Sequence, residues 1–275
     1  MSQTAADLPK LKNEALKIRR NVWRALHAAG SGHMGGSLSA ADLLAALYFH
    51  TMRLRPAEPD WPGRDRFVLS KGHANAALGA VLAQAGIIDD AVIDQFYGYQ
   101  SLFGMHPDIK LAGVEMSTGG LGHGLSVGLG MALGARLQKR DFNVYVMIGD
   151  GELQEGSNWE AAMAAAHHQT PNLTAIVDYN KVQQSGHVSS MMSLEPLADK
   201  WRSFGWSVRE IDGHDMAQIV TALDALPFES GPSVIIAHTV KGKGVSFAED
   251  THLWHSNMVT DDVYEKALAE LGEPL

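Results

Sequence analysis

The chain has 275 residues, 45% of them apolar, a formal net charge of −9 and no cysteine. That length and apolar content suffice for one large α/β core, the negative balance argues against nucleic acid as a partner, and the lack of cysteine excludes disulfides, thiolate nucleophiles and Cys-ligated zinc, so any metal must sit on oxygen or histidine. No run nears the roughly 20 apolar residues of a membrane helix, and the polar start Met1 to Leu11 lacks the apolar core of a signal peptide, so a soluble, cytoplasmic protein with no membrane partner is expected.

Between Pro9 and Ala29 the apolar residues Leu11, Ala15, Ile18, Val22 and Leu26 recur at helical spacing, and Gly30 follows the last turn. This predicts an opening amphipathic helix. A second helix is expected to start at Ser39, where Asp42 three positions on completes a capping-box pattern, and to run through Leu43, Leu44, Leu47 and Tyr48. Strands rich in Val, Ile or Phe are predicted over 66–69, 143–148, 173–178, 207–211 and 233–237, alternating with helices. Such alternation implies an α/β fold: a mostly parallel β-sheet with helices on both faces. No repeat, low-complexity tract or linker divides the chain, so residues 1–275 are expected to form one domain.

Four loops combine glycine with His or Lys: Ser31-Gly32-His33-Met34-Gly35-Gly36, Ser70-Lys71-Gly72-His73, Ser117-Thr118-Gly119-Gly120-Leu121-Gly122-His123-Gly124 and Lys241-Gly242-Lys243-Gly244. Glycine lets the backbone approach a ligand closely, and exposed N–H groups with nearby cations suit an anion such as a diphosphate. Neither a Walker motif nor a Gly-x-Gly-x-x-Gly fingerprint opens a βα unit, which leaves a nucleotide site little support. Asp150, in the run Gly149-Asp150-Gly151-Glu152, and Asn180 each close a predicted strand. Two hard oxygen ligands at neighbouring strand ends point to Mg²⁺ beside phosphate. His167 and His168 are adjacent on a predicted helix, cannot form an i, i+4 metal pair, and are read as structural.

These residues resemble a known family. Gly149-Asp150-Gly151 through Asn180 is similar to the thiamine-diphosphate motif, and Glu152-Leu153-Gln154-Glu155-Gly156 within it is similar to the transketolase version. Further stretches resemble transketolases in the same order: Ser31-Gly32-His33, Tyr48-Phe49-His50-Thr51-Met52-Arg53, Arg64-Asp65-Arg66-Phe67-Val68-Leu69-Ser70-Lys71-Gly72-His73, His106-Pro107, Ser117-Thr118-Gly119-Gly120-Leu121-Gly122, Asp212-Gly213-His214-Asp215 and Trp254-His255. The resemblance spans nearly the whole chain and implies the diphosphate domain of the thiamine-diphosphate-binding fold.

The resemblance implies thiamine diphosphate and Mg²⁺ (or Ca²⁺ or Mn²⁺) as cofactors, the metal held by the side chains of Asp150 and Asn180 and the carbonyl of Val182. It implies cofactor contacts from His73, Gly119, Gly120, Leu121, Gly151, Glu155, Asn180, Gln184, Lys241 and His255, with Glu155 matching a carboxylate of the subunit interface. His33, His106 and His255 would be catalytic, handling protons on sugar oxygens. Lys71 matches a lysine near the phosphates, though a lysine read from sequence alone is ordinarily solvated. His123 departs from a glutamine common in the family, Ser256-Asn257 from a Gly-Lys pair, and Gly36 from a serine. The family's pyrimidine-binding domain and its cofactor-activating glutamate have no counterpart here. The resemblance therefore implies one half of a split transketolase that moves a two-carbon ketol unit from a ketose phosphate to an aldose. The other half would be a C-terminal subunit carrying that domain and glutamate, in an α2β2 heterotetramer. Two alternatives stay open: half of another thiamine-dependent enzyme (a dihydroxyacetone, branched or sulfosugar transketolase, or a 1-deoxyxylulose-5-phosphate synthase relative), and a non-catalytic binding module.

Overall fold

Strands buried on both faces carry apolar side chains at every position, alternate residues entering opposite layers. The computed structural model, which describes residues 6–272, has that arrangement in all but the edge strand Ser207–Asp212, whose Arg209, Glu210 and Asp212 are half-buried or exposed. Strands β1 (Arg66–Leu69), β2 (Val144–Gly149), β3 (Leu173–Tyr179), β4 (Ser207–Asp212) and β5 (Ser233–His238) form one parallel sheet in the order β1-β2-β3-β5-β4. Phe67, Leu69, Tyr145, Met147, Ile176 and Ile235 enter one layer, with the helices Leu8–Ala29, Ala41–Ala46, Asn75–Gln84 and Met216–Asp224. Val68, Val144, Val146, Ile148, Val177 and Ile236 enter the other, under the helices Gly124–Leu137, Gly156–His167 and Leu197–Ser203. A Cβ on Gly128 would lie 2.4 Å from the Val146 side chain, so the helix seats that closely on β2 only because this residue is glycine. The α/β fold and parallel sheet expected from the sequence are thus found, each strand after the first running one residue further than predicted.

The opening helix begins at Leu8, where the Asp7 carboxylate accepts the Lys10 N–H at 3.0 Å, and ends at Gly30 with φ +73°. The second helix departs from expectation. Ser39 does not cap it. A short helix, Gly35–Ser39, precedes a separate one, Ala41–Ala46, and a wider turn covers Leu47–Thr51. The Ser39 hydroxyl donates to the Asp178 carboxylate at 2.6 Å, while Asp42 faces Arg19 and, at 2.8 Å, His214. Both members of the supposed capping box are engaged in long-range contacts that outweigh the local cap.

Because the five strands run the same way, their C-terminal ends share one edge of the sheet. Ser70 and Lys71 leave β1 there, Asp150 leaves β2, Asn180 leaves β3 and Thr239 leaves β5. A short antiparallel pairing of Ser31–Gly32 with Asn257–Met258 brings the loops bearing His33 and His255 to the same edge. Among the described residues no helix is long and apolar enough to cross a membrane.

Candidate active site

Those strand ends surround a cavity of about 340 Å³. Its lining brings together His33, His73, Gly119, Leu121, Asp150, Gly151, Asn180, Val182, Gln184, Lys241 and His255, all expected from the sequence. Three expected residues lie outside the lining. His106 is exposed and packs its ring on Gly119, 3.4 Å from where a Cβ would sit, which places it at the rim. Gly120 is exposed beside the His123 ring, and Glu155 is exposed and packs on Gly122.

Asp150 is 3% exposed, and its carboxylate accepts main-chain N–H groups from Gly151, at 2.7 Å, and Lys181. The Gly151 N–H is thus directed at Asp150 here. Burial, helped by the charge on Asp178, pushes the Asp150 carboxyl up to about 6. No ion pair with a basic side chain offsets that burial among the described residues, so the carboxylate is short of positive charge, the condition a divalent cation relieves. The Asn180 amide oxygen accepts the Val182 N–H at 3.1 Å, and the Val182 carbonyl accepts from Lys241 at 2.7 Å. One carboxylate, one amide oxygen and one carbonyl in the same wall form a hard-oxygen set that fits Mg²⁺.

The Lys241 ammonium is buried and also donates to the His255 Nδ1 at 2.8 Å. Burial brings Lys241 down to about 8. Burial, followed by the Lys241 charge, takes His255 down to about 3. A neutral imidazole that accepts at Nδ1 carries its proton on Nε2, so Lys241 sets the tautomer of His255. The rings of His33, His73 and His255 form a triangle with centroids 5.2–5.5 Å apart. Burial lowers His33, and burial with the Lys71 charge holds His73 well below the usual range. His33 Nδ1 is buried without a partner among the described residues, so the triangle has unused hydrogen-bonding capacity at the cavity.

A histidine depressed by folding is protonated more readily in the unfolded chain, so its effect on stability is nil above about pH 6.5 and destabilising as pH falls below it. His255 should cost roughly 2 kcal/mol at pH 5 relative to pH 7, and His73 should cost stability in the same direction. Thermal melts at the two pH values are expected to show a smaller loss for His73→Gln than for the unaltered chain. Equal losses would mean that His73 titrates normally.

Two buried hubs were not found from the sequence. Glu152 accepts Gly122 N–H at 2.8 Å and Gly149 N–H at 3.0 Å as well as the Ser70 hydroxyl, tying the Gly119–Leu121 loop to the strand ends; Gly122 takes φ +88° to present its N–H. Asp178 accepts from Ser39, Lys71 and Thr239. Burial alone would raise Asp178, but the Lys71 ammonium together with the hydrogen bonds from Ser39 and Thr239 outweighs it and holds the carboxyl below the ordinary range. Lys71, 1% exposed, also donates to the Gly36 carbonyl at 2.7 Å. The available signal was an acidic residue inside the otherwise uncharged, fully buried strand Leu173–Tyr179, where an Asp survives only with partners. Gln154, Gln183 and Ser185 also join the cavity wall.

Residues 12–273 match the family described as "Transketolase, thiamine diphosphate binding domain". The chain is 43% identical over 264 residues to an apulose-4-phosphate transketolase subunit of Phocaeicola vulgatus, covering 96% of this chain and 94% of that one. It is 42% identical over 273 residues to a 6-deoxy-6-sulfo-D-fructose transketolase subunit of a Clostridium species, covering 98% of each. The crystal structure of Campylobacter jejuni transketolase superposes with a TM-score of 0.91 at 32% identity, covering 98% of this chain and 43% of that one. The chain thus spans less than half the length of that transketolase.

Proposed function

The chain belongs to the transketolase family through its thiamine-diphosphate-binding domain, and on that premise we propose that it is the N-terminal subunit of a two-polypeptide transketolase. The observation that carries this reading is the single cavity in which Asp150, Asn180 and Val182 present hard oxygens beside His33, His73 and His255. Thiamine diphosphate, when bound, supplies the carbanion chemistry needed to break and remake a carbon–carbon bond beside a ketose carbonyl. Asp150, Asn180 and Val182 would hold the divalent cation, Mg²⁺ by preference with Ca²⁺ or Mn²⁺ as substitutes, and Lys241 and Gly151 would face the diphosphate. His255, with its proton on Nε2, is suited to donate a hydrogen bond to a sugar oxygen, and neutral His33 to take up or return a proton there. His106 would act from the rim.

The glutamate that the family uses to activate the cofactor is assigned to the partner. Glu152, the acidic residue in the wall besides Asp150, already accepts from Ser70, Gly122 and Gly149, which fixes it as a structural acceptor. End-to-end coverage of relatives that are themselves named as subunits supports a partner chain; that the partner is the C-terminal half, that the assembly is α2β2, and that it acts in the cytoplasm on pentose-phosphate-type sugars belong to the same proposal. Sugar phosphates are the proposed donors and acceptors. The test is to mix the purified chain with the candidate C-terminal subunit, thiamine diphosphate and Mg²⁺, and to follow two-carbon transfer across a panel of ketoses. Turnover is expected only in the mixture. Full activity from this chain alone, or none with any ketose despite complex formation, would overturn the reading.

A further inference from the structure

The buried hydroxyl of Ser39 sits between Asn180, which lines the cavity, and the Asp178 carboxylate behind it. It donates to the Asp178 carboxylate at 2.6 Å, with the Gly36 carbonyl a second acceptor at 3.2 Å. On its other side the Asn180 Nδ2 approaches it at 3.5 Å. A hydroxyl has one proton, and here both Asp178 and Gly36 are acceptors, so that proton is committed away from Asn180. What Ser39 offers Asn180 is a lone pair, which only the NH2 end of the amide can use. The Val182 N–H, a donor at 3.1 Å, independently requires the oxygen end on its own side.

Resting on the functional reading above, we propose that Ser39 is a positioning residue for the divalent cation: backed by Asp178, it fixes which end of the Asn180 amide is turned to the metal. An asparagine binds a cation through its oxygen only, and a flipped amide would present an NH2 group to it. Asp178 gives the relay its direction because an ionised carboxylate accepts and does not donate. Lys71 and Thr239 hold that carboxylate in place from two other strand ends. Residues that orient metal ligands from behind commonly change metal affinity about 10–100-fold when removed.

The test uses the full chain in complex with its C-terminal subunit, with thiamine diphosphate and with Mn²⁺ as the probe, free Mn²⁺ being read by electron paramagnetic resonance. Ser39→Ala is expected to weaken Mn²⁺ binding about 10-fold. A merely structural serine would weaken it in any background, so the same change is made in Asn180→Asp. A carboxylate carries oxygen at both ends and needs no orienting, so there Ser39→Ala should leave Mn²⁺ affinity unchanged. Should the alanine variant not fold, Ser39→Cys, which keeps the volume and offers a weaker acceptor, is expected to show the same dependence on background. Unchanged affinity in the Asn180 background, or equal losses in both, overturns the proposal. If the unaltered complex binds no Mn²⁺ with thiamine diphosphate, the functional reading fails and takes this inference with it.

Discussion

Asp150→Asn is expected to abolish cation-dependent binding of thiamine diphosphate, and two-carbon transfer with the partner subunit should fall by at least about 1,000-fold, roughly 4 kcal/mol of lost transition-state stabilisation. The substitution keeps the shape of the side chain and removes the only formal charge in the oxygen set formed with Asn180 and Val182. Hard cations that retain few protein ligands depend strongly on each carboxylate. The fold should survive, because the charge lost is one the folded chain holds at a cost: burial and Asp178 have pushed this carboxyl up to about 6. Its main-chain partners, Gly151 and Lys181, lose at most one good acceptor, worth about 1 kcal/mol. Titration calorimetry with Mg²⁺ and thiamine diphosphate, alongside a melt of the cation-free chain, separates the two effects. Cofactor affinity preserved in the variant would remove Asp150 from the metal site.

Lys71→Met is expected to destabilise the chain by about 3–5 kcal/mol, the usual result of taking one partner from a buried ion pair. Asp178 is 0% exposed and Lys71 1%, so neither charge has water to fall back on. Ser39 and Thr239 would remain on Asp178, but neither hydroxyl carries charge. The double variant Lys71→Met with Asp178→Asn should lose much less than the sum of the single changes, because an uncharged amide needs no counter-charge. Denaturant unfolding of the four chains gives the coupling directly. Additive losses would mean that the pair contributes nothing beyond packing. A lysine in its ordinary solvated role would give a change of about 1 kcal/mol or less.

The contrast at Lys71 marks where the sequence stopped being legible. The run Ser70-Lys71-Gly72-His73 was assigned to the cavity from its glycine and histidine, and both His73 and Lys71 line it. Nothing adjacent in the chain indicates that this lysine is sealed from solvent, because its partner Asp178 lies 107 positions away. Ser39 misled for the same reason. Its spacing to Asp42 satisfied a local capping rule, while the contacts that decided its conformation came from 139 positions downstream. His106, Gly120 and Glu155 belong to motifs whose other members reach the cavity, yet they stand outside its lining, since a loop can present adjacent residues in different directions.

The sequence by itself determined the parallel α/β architecture and the residues grouped as Asp150, Asn180 and Val182 with His33, His73 and His255. Strand identity is encoded in short apolar runs, Asp150 and Asn180 close two of those runs, His33 and His73 lie in loops where glycine beside histidine stands out locally, and Val182 and His255 followed from the family resemblance. Only the tertiary structure decided which charges are buried, how Lys241 sets the tautomer of His255, and how Ser39, Lys71 and Thr239 converge on Asp178. Burial and hydrogen-bond partnership depend on segments far apart in the chain that meet where parallel strands end along one edge. Their energies come from the exclusion of water at that edge, a property no single segment carries.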